Sequence, residues 1–244
     1  MAALPRTDDQ EHERARIVDQ LAPADLRDDP TLTKIAQCVE TIYGVPMAHV
    51  SLLDRDSQCV IGQVGLDRWK IDRQQTFCTR VVARNKVLVV EDATDHPEFK
   101  DNPLVVGEPY IRFYVGVPIV VEGVAVGTLC AMDDVPHEPD MRRRAEMFGL
   151  VHLLERALAL RLDYGADSSQ FALARDLVDA RAYTTLTRYE GMGDPDHSEL
   201  CQAEHKIRAG LDRLVQLGPD APAPDGLDGP TDIDPPGADH ASDG

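Results

Sequence analysis

Basic residues are scarce in this chain. Among 244 residues, 25 Lys and Arg stand against 43 Asp and Glu, a formal charge of −18. Such a surface repels phosphates, so neither nucleic acid nor an anionic membrane is an expected partner. Cysteine is thin as well. The thiols are Cys38, Cys59, Cys78, Cys130 and Cys201, odd in number and never spaced as CxxC. That excludes a disulfide scaffold. The first residues lack the apolar stretch of an export signal, so reduced thiols and a cytoplasmic location are expected.

The common catalytic signatures are missing too. There is no GxxxxGK[ST] phosphate loop, no strand-linked GxGxxG and no GxSxG elbow. His137-Glu138-Pro139-Asp140 opens like a metalloprotease helix, but no second His follows four residues on, and Pro139 breaks the helix. The remaining His are dispersed without metal spacing. No metal site and no enzyme activity are therefore expected, and no cofactor is specified. A long apolar run is present at residues 114–132, with Glu122 as its one charge. Pro118, Glu122-Gly123 and the many Val residues make it two strands around a tight turn rather than a membrane span.

What is there is a change of period along the chain. Residues 1–9 read as a flexible N-terminus. Ile17, Val18 and Leu21 mark a helix over 10–21, ended by Pro23. Asp28-Asp29-Pro30-Thr31 supplies cap residues and an early proline for a second helix, whose face is Leu32, Ile35, Ala36, Cys38, Val39 and Ile42 and whose stop is Gly44. Residues 48–53 and 58–64 then form a hairpin around Asp54-Arg55-Asp56-Ser57. Residues 65–76 read as a polar connection carrying the only tryptophan, Trp69. Thr76 is expected to cap a helix running to about Ala83, which puts Cys78 in its first turn, where free amides lower a thiol pKa. The plainer reading of Cys78 is a small residue packed between helix and sheet, and Cys59 and Cys130 read as core.

A strand at 87–91 leads to the long loop 92–109, rich in Asp, Asn, Pro and Gly, and loops of that length commonly carry function. Beyond it, Arg112 and Tyr114 share one strand face while Phe113 takes the other. Arg112 can bind an anion or lock the loop by pairing with Asp92 or Asp101, and the locking role is the stronger reading. Residues 142–163 form a long helix with two apolar lines, Met147, Leu150, Leu154, Ala157 and Phe148, Val151, Leu158, Leu162. One line can cover the sheet and the other meet a partner helix, or both can sit in one broad buried face. Weaker helical segments follow at 169–189 and 198–217. Residues 218–244 hold seven Asp, six Pro and five Gly, with no Glu, Lys or Arg. They cannot bury enough surface to fold and read as a disordered acidic tail.

The ordered succession Ala48-His-Val-Ser-Leu-Leu-Asp54, Val64-Gly-Leu66, Thr76-Phe-Cys78, Val89-Val-Glu-Asp-Ala-Thr94, Ile111-Arg-Phe-Tyr-Val-Gly-Val-Pro118 and Gly127-Thr-Leu-Cys-Ala-Met-Asp133 resembles the GAF sensory domain. The branch it is most similar to occurs in bacterial sensor kinases and cyclic-dinucleotide enzymes. The resemblance covers residues 10 to 162. It implies an α+β fold, an antiparallel sheet of five to six strands flanked by helices, with a small-molecule pocket between sheet and loops and signalling through the terminal helix. The domain would span 10–163, followed by a helical extension at 164–217.

The NKFDE signature of cyclic-nucleotide-binding GAF domains is not found, and Thr79 rather than His follows Cys78, so a bilin context is missing. No kinase, GGDEF, phosphatase, ANTAR or DNA-binding module is recognised after Leu162. The expected function is a non-enzymatic cytoplasmic sensor that binds a small molecule or senses redox state. It would pass the signal to an unknown protein partner, with a homodimer through helix 142–163. Candidate ligand-binding residues are Trp69, Phe77, Cys78, Asp92, Asn102, Arg112 and Tyr114. The alternatives are a thiol enzyme or redox sensor using Cys78, similar to the free methionine sulfoxide reductases, and a dimeric scaffold without ligand.

Overall fold

The computed structural model describes residues 8–27, 29–66, 69–138 and 140–189. Helix α1, Asp8–Leu21, buries Ala15, Ile17, Val18 and Leu21. Helix α2, Pro30–Tyr43, starts where the sequence signals it. The Asp29 carboxylate accepts the N–H groups of Thr31 at 2.8 Å and Leu32 at 3.4 Å, and Pro30 occupies the first turn. It stops at Gly44, whose φ of 65° suits a residue without a side chain.

The strands are β1 (Met47–Leu53), β2 (Ser57–Val64), β3 (Lys70–Asp72), β4 (Leu88–Val90), β5 (Phe113–Val121) and β6 (Val124–Asp133). They make one six-stranded sheet in the order β3-β2-β1-β6-β5-β4, with every neighbouring pair antiparallel. Residues 114–132 thus form the β5–β6 hairpin, turned by Glu122 and Gly123 at φ 51° and 77°. Among the described residues no helix is long and apolar enough to cross a membrane.

Two local expectations are corrected. The connection 65–76 contains β3 and a single 3₁₀ turn, Arg73–Gln75, because a three-residue strand is too short to show alternation. Helix α3, Cys78–Arg84, is not capped by Thr76. Phe77 holds the cap position in helical geometry without a side-chain bond, and the Thr76 hydroxyl donates backward to the Arg73 carbonyl at 3.2 Å. Cys78 keeps its place at the start of the helix. The loop after β4 also holds a short helix, α4, Pro103–Val106.

The sheet is covered on both sides, which is why β1 is buried at every residue. On one side lie α1, α2, α5 (Met141–Tyr164) and α6 (Ser169–Tyr189). Each fully buried Leu, Ile or Val in that core contributes about 1.5–3 kcal/mol relative to exposure. On the other side lie α3, α4 and the loop 92–111.

Helix α5 buries Met147, Leu150, Leu154 and Ala157 of its first apolar line. Of the second line, Val151 and Leu158 are buried, Leu162 is half-buried and Phe148 is 46% exposed. Much of that breadth is met within the chain, since α6 packs on α5 and α2 through Phe171, Ala174, Leu177, Val178 and Ala182. Glu146 fixes the pair by accepting from Arg181 at 2.9 Å and Arg188 at 2.8 Å. The Cys38 thiol reaches the Ala182 carbonyl at 3.3 Å. The segment 198–217, Cys201 and the tail 218–244 lie outside the described residues.

Candidate functional site

Period two places small polar residues on the sheet face beneath α3. Cross-strand pairing sets Ser51 of β1 opposite Thr128 of β6, and His49 opposite Cys130. On the other flank of β6, Cys130 pairs with Gly116 of β5, two residues beyond Tyr114. The Tyr114 ring leans over Gly116, where a Cβ would collide with the Tyr114 hydroxyl. Glycine is required there so that this hydroxyl can reach the Cys78 Sγ, to which it donates at 3.4 Å. The Sγ atoms of Cys78 and Cys130 lie 3.9 Å apart. Ser51 and Thr128 hydroxyls sit 3.1 Å from each other, and Gln58 Nε2 donates to Ser51 at 3.1 Å. An aromatic stack closes the cluster: Phe77 lies against Phe99 with centroids 4.2 Å apart and against Tyr114 at 4.9 Å.

This buried chemistry separates the two thiols. Burial alone pushes the Cys78 thiol up, but donors from Cys130, Thr128, Tyr114 and Ser51 outweigh it and bring Cys78 down to about 7. The hydrogen bond to Cys78, together with burial, holds Cys130 well above its ordinary value. Burial likewise raises Tyr114 and keeps it a donor. His49 is pushed down to about 4 by burial, so it is a neutral imidazole at neutral pH, and among the described residues its Nε2 has no hydrogen-bond partner.

The expected site residues do not all converge. Phe77, Cys78 and Tyr114 meet in the cluster. Asn102 borders it as a tether: its Oδ1 accepts the Leu104 N–H at 2.8 Å to cap α4, and its Nδ2 donates to the Gln75 carbonyl at 2.8 Å. Asp92 stays in its own loop, accepting from the amide and hydroxyl of Thr94 at 2.9 and 2.7 Å. Those bonds, the hydroxyl's first, hold its carboxyl below the ordinary value. Arg112 does lock the loop, but through carbonyls rather than the expected pairing with Asp92 or Asp101. It donates to Val105 and Tyr110 at 2.9 Å each and to Ile111 at 3.2 Å. Backbone oxygens at the close of the loop lie nearer than either carboxylate. Trp69 packs on the opposite side of the sheet, against the helical core, with the Arg27 guanidinium 5.4 Å over its ring.

Sequence reasoning missed His49, Ser51, Gln58, Phe99 and Thr128. The available signal was polar residues alternating with Val50 and Leu52 in β1, and Thr128 with Leu129 in β6. Among the described residues no group of three or more His, Cys, Asp or Glu could hold a metal ion.

The GAF domain pattern matches residues 29–158. The chain belongs to the GAF domain family. The GAF match spans α2 through most of α5, and so includes every strand and the thiol cluster. A cyclic di-GMP phosphodiesterase of Pseudomonas aeruginosa is 31% identical over 237 residues, covering 86% of this chain and 40% of that protein. The chain thus spans about two fifths of its relative's length. Among solved structures, the GAF domain of an Acinetobacter phosphoenolpyruvate-protein phosphotransferase has 17% identity and a TM-score of 0.45, covering 64% of this chain and 96% of that one. A type II free methionine-R-sulfoxide reductase from Thermoplasma acidophilum has 15% identity and a TM-score of 0.46, covering 57% and 96%.

Proposed function

We propose that this GAF protein is a non-enzymatic cytoplasmic sensory module. A small molecule or a redox change alters the buried cluster beneath α3, and α5 carries the change to a protein partner that holds the output. One observation carries this reading: strand β5 touches both ends of the route. Tyr114 at its start contacts Cys78, and near its end the Val120 N–H is bonded at 2.7 Å to the Glu155 carboxylate of α5. A displacement of Tyr114 therefore acts on the strand to which α5 is latched. Differential affinity for two arrangements of that strand is all that a ligand needs to shift α5.

A homodimer through α5 fits the same reading. Phe148 stands 46% exposed on a cleft of about 610 Å³ between α5 and β5, which Val120 and His152 also line. A thermal-shift screen of metabolites and oxidants, followed by hydrogen exchange on the best hit, tests the proposal. The expected result is altered protection in both α3 and α5. Protection changes confined to α3, with α5 unmoved, would sink it.

A second reading, a thiol reductase acting on free methionine sulfoxide, is favoured by the lowered Cys78 thiol beside Cys130. Turnover of free methionine sulfoxide that disappears in Cys78→Ser would establish it, and inactivity of the reduced wild type would remove it.

A further inference from the structure

We propose that Cys78 and Cys130 close into a reversible disulfide when the protein meets a hydroperoxide, with Cys78 as the attacking thiol and Cys130 as the resolving one. The inference rests on reading the cluster as the sensing site, and it names the chemistry sensed. The two sulfurs stand 3.9 Å apart across the gap between α3 and β6, and a disulfide bond is about 2.05 Å long, so forming it draws the sulfurs together by roughly 2 Å. Cys38 and Cys59 have other neighbours, the Ala182 carbonyl and the Ser57 hydroxyl.

The surroundings assign the roles. Tyr114 donates to Cys78, and the Ser51 and Thr128 hydroxyls add to the stabilisation of its thiolate. Cys130 stays protonated and can supply the second thiol. The Cys78 thiolate attacks the distal peroxide oxygen and breaks the O–O bond. That gives Cys78 sulfenic acid and an alkoxide, which takes a proton to leave as alcohol. Cys130 sulfur then attacks the Cys78 sulfur, the S–O bond breaks, and the hydroxyl leaves with the Cys130 proton as water. Two thiols are oxidised by two electrons in all, and the hydroperoxide is reduced to alcohol and water.

Burial governs the rate. Cys78 is covered by α3 and by the loop 92–109, which is pinned where Glu98 pairs with Arg80 at 2.6 Å and Arg84 at 2.9 Å and where Asn102 bonds the Gln75 carbonyl. Oxidant enters when those contacts open, and the reaction should run faster when they are weakened.

The experiment treats the reduced full chain with hydrogen peroxide, quenches with an alkylating reagent and maps the peptides by mass. A Cys78–Cys130 cross-linked peptide is expected, reversed by dithiothreitol and formed several-fold faster in Glu98→Gln. Cys130→Ala should yield a dimedone adduct on Cys78, and Cys78→Ser should leave Cys130 reduced. Peroxide-dependent oxidation confined to other cysteines, in both the wild type and Glu98→Gln, would overturn the proposal. Hydrogen exchange on the oxidised protein separates the two ideas. A disulfide that leaves α5 unchanged removes the sensory relay, and peroxide treatment that yields no Cys78–Cys130 disulfide, while a metabolite still shifts α5, removes the thiol pair and keeps the relay.

Discussion

Glu155 on α5 accepts the backbone N–H of Val120 on β5 at 2.7 Å. Strand β4 pairs only with Tyr114 to Gly116, so the outer edge of β5 runs on past it. Pro118 offers no N–H there, and Glu155 takes that of Val120. An open edge invites pairing with another chain, and this one is closed by a proline and a carboxylate.

Glu155→Ala should therefore cost about 1–3 kcal/mol in urea unfolding, by leaving a part-buried amide without its acceptor. Burial raises the Glu155 pKa above 4.5, and the Val120 bond only partly offsets it. A raised carboxyl favours folding while protonated, so its contribution declines as pH climbs past 4.5. Glu155→Gln keeps an acceptor oxygen and escapes that decline. It should match or exceed the wild type at neutral pH, and a loss as large as that of Glu155→Ala would contradict the assignment.

The thiolate of Cys78 depends on Tyr114. Alkylation of Cys78 against pH should inflect near 7 in the native protein, below the ordinary value of 9.0. In Tyr114→Phe one donor is gone, burial gains on those that remain, and the inflection should move upward. An unmoved inflection would mean that the hydroxyl does not stabilise the thiolate.

Gly116→Ala should destabilise the protein by about 1–3 kcal/mol through overpacking against the Tyr114 hydroxyl. Tyr114→Phe removes the colliding oxygen, so the double variant should recover part of the loss. Strict additivity in the unfolding free energies would show that the two residues do not share the space.

How much of this was legible beforehand differs between frame and site. Asp29, Pro30 and Gly44 announced α2 because capping and stopping are local chemistry, set by residues within one turn. The Glu122-Gly123 turn likewise fixed the β5–β6 hairpin. The resemblance grouped Phe77, Cys78 and Tyr114 with Trp69, Asp92, Asn102 and Arg112, and the structure brings only the first three into contact, with Trp69 across the sheet. What failed were choices settled by distant partners. Thr76 had the chemistry of a cap, yet Arg73 offered its hydroxyl a carbonyl first. Arg112 carried the charge to pair with Asp92, yet carbonyls of its own loop were closer. The polar alternation at His49 and Ser51 was in the sequence, but its meaning needed the register of β1 against β6.

Glu11 supplies an acid-sensitive clamp. Its carboxylate lies between Arg14 and Arg73, and Arg14 is fully buried while donating to the Leu53 carbonyl. Burial raises Glu11, but the bonds to Arg73 and Arg14 outweigh it and hold the carboxyl at about 2 against an ordinary 4.5. A lowered carboxyl stabilises fully above 4.5 and loses that contribution as pH falls toward 2. Glu11→Gln should cost about 1–2 kcal/mol at neutral pH, discounted for its partial exposure, and flatten this acid-side loss in thermal melts.

Trp69 is the sole tryptophan of the chain, and it sits on the far side of the sheet from Cys78 and Cys130, beneath Arg27. The sheet thereby separates its fluorescence from direct quenching by Cys78 and Cys130. An emission change that follows oxidation of Cys78 and Cys130 would register movement passed through the sheet, so the protein carries its own optical gauge of whether one face feels the other.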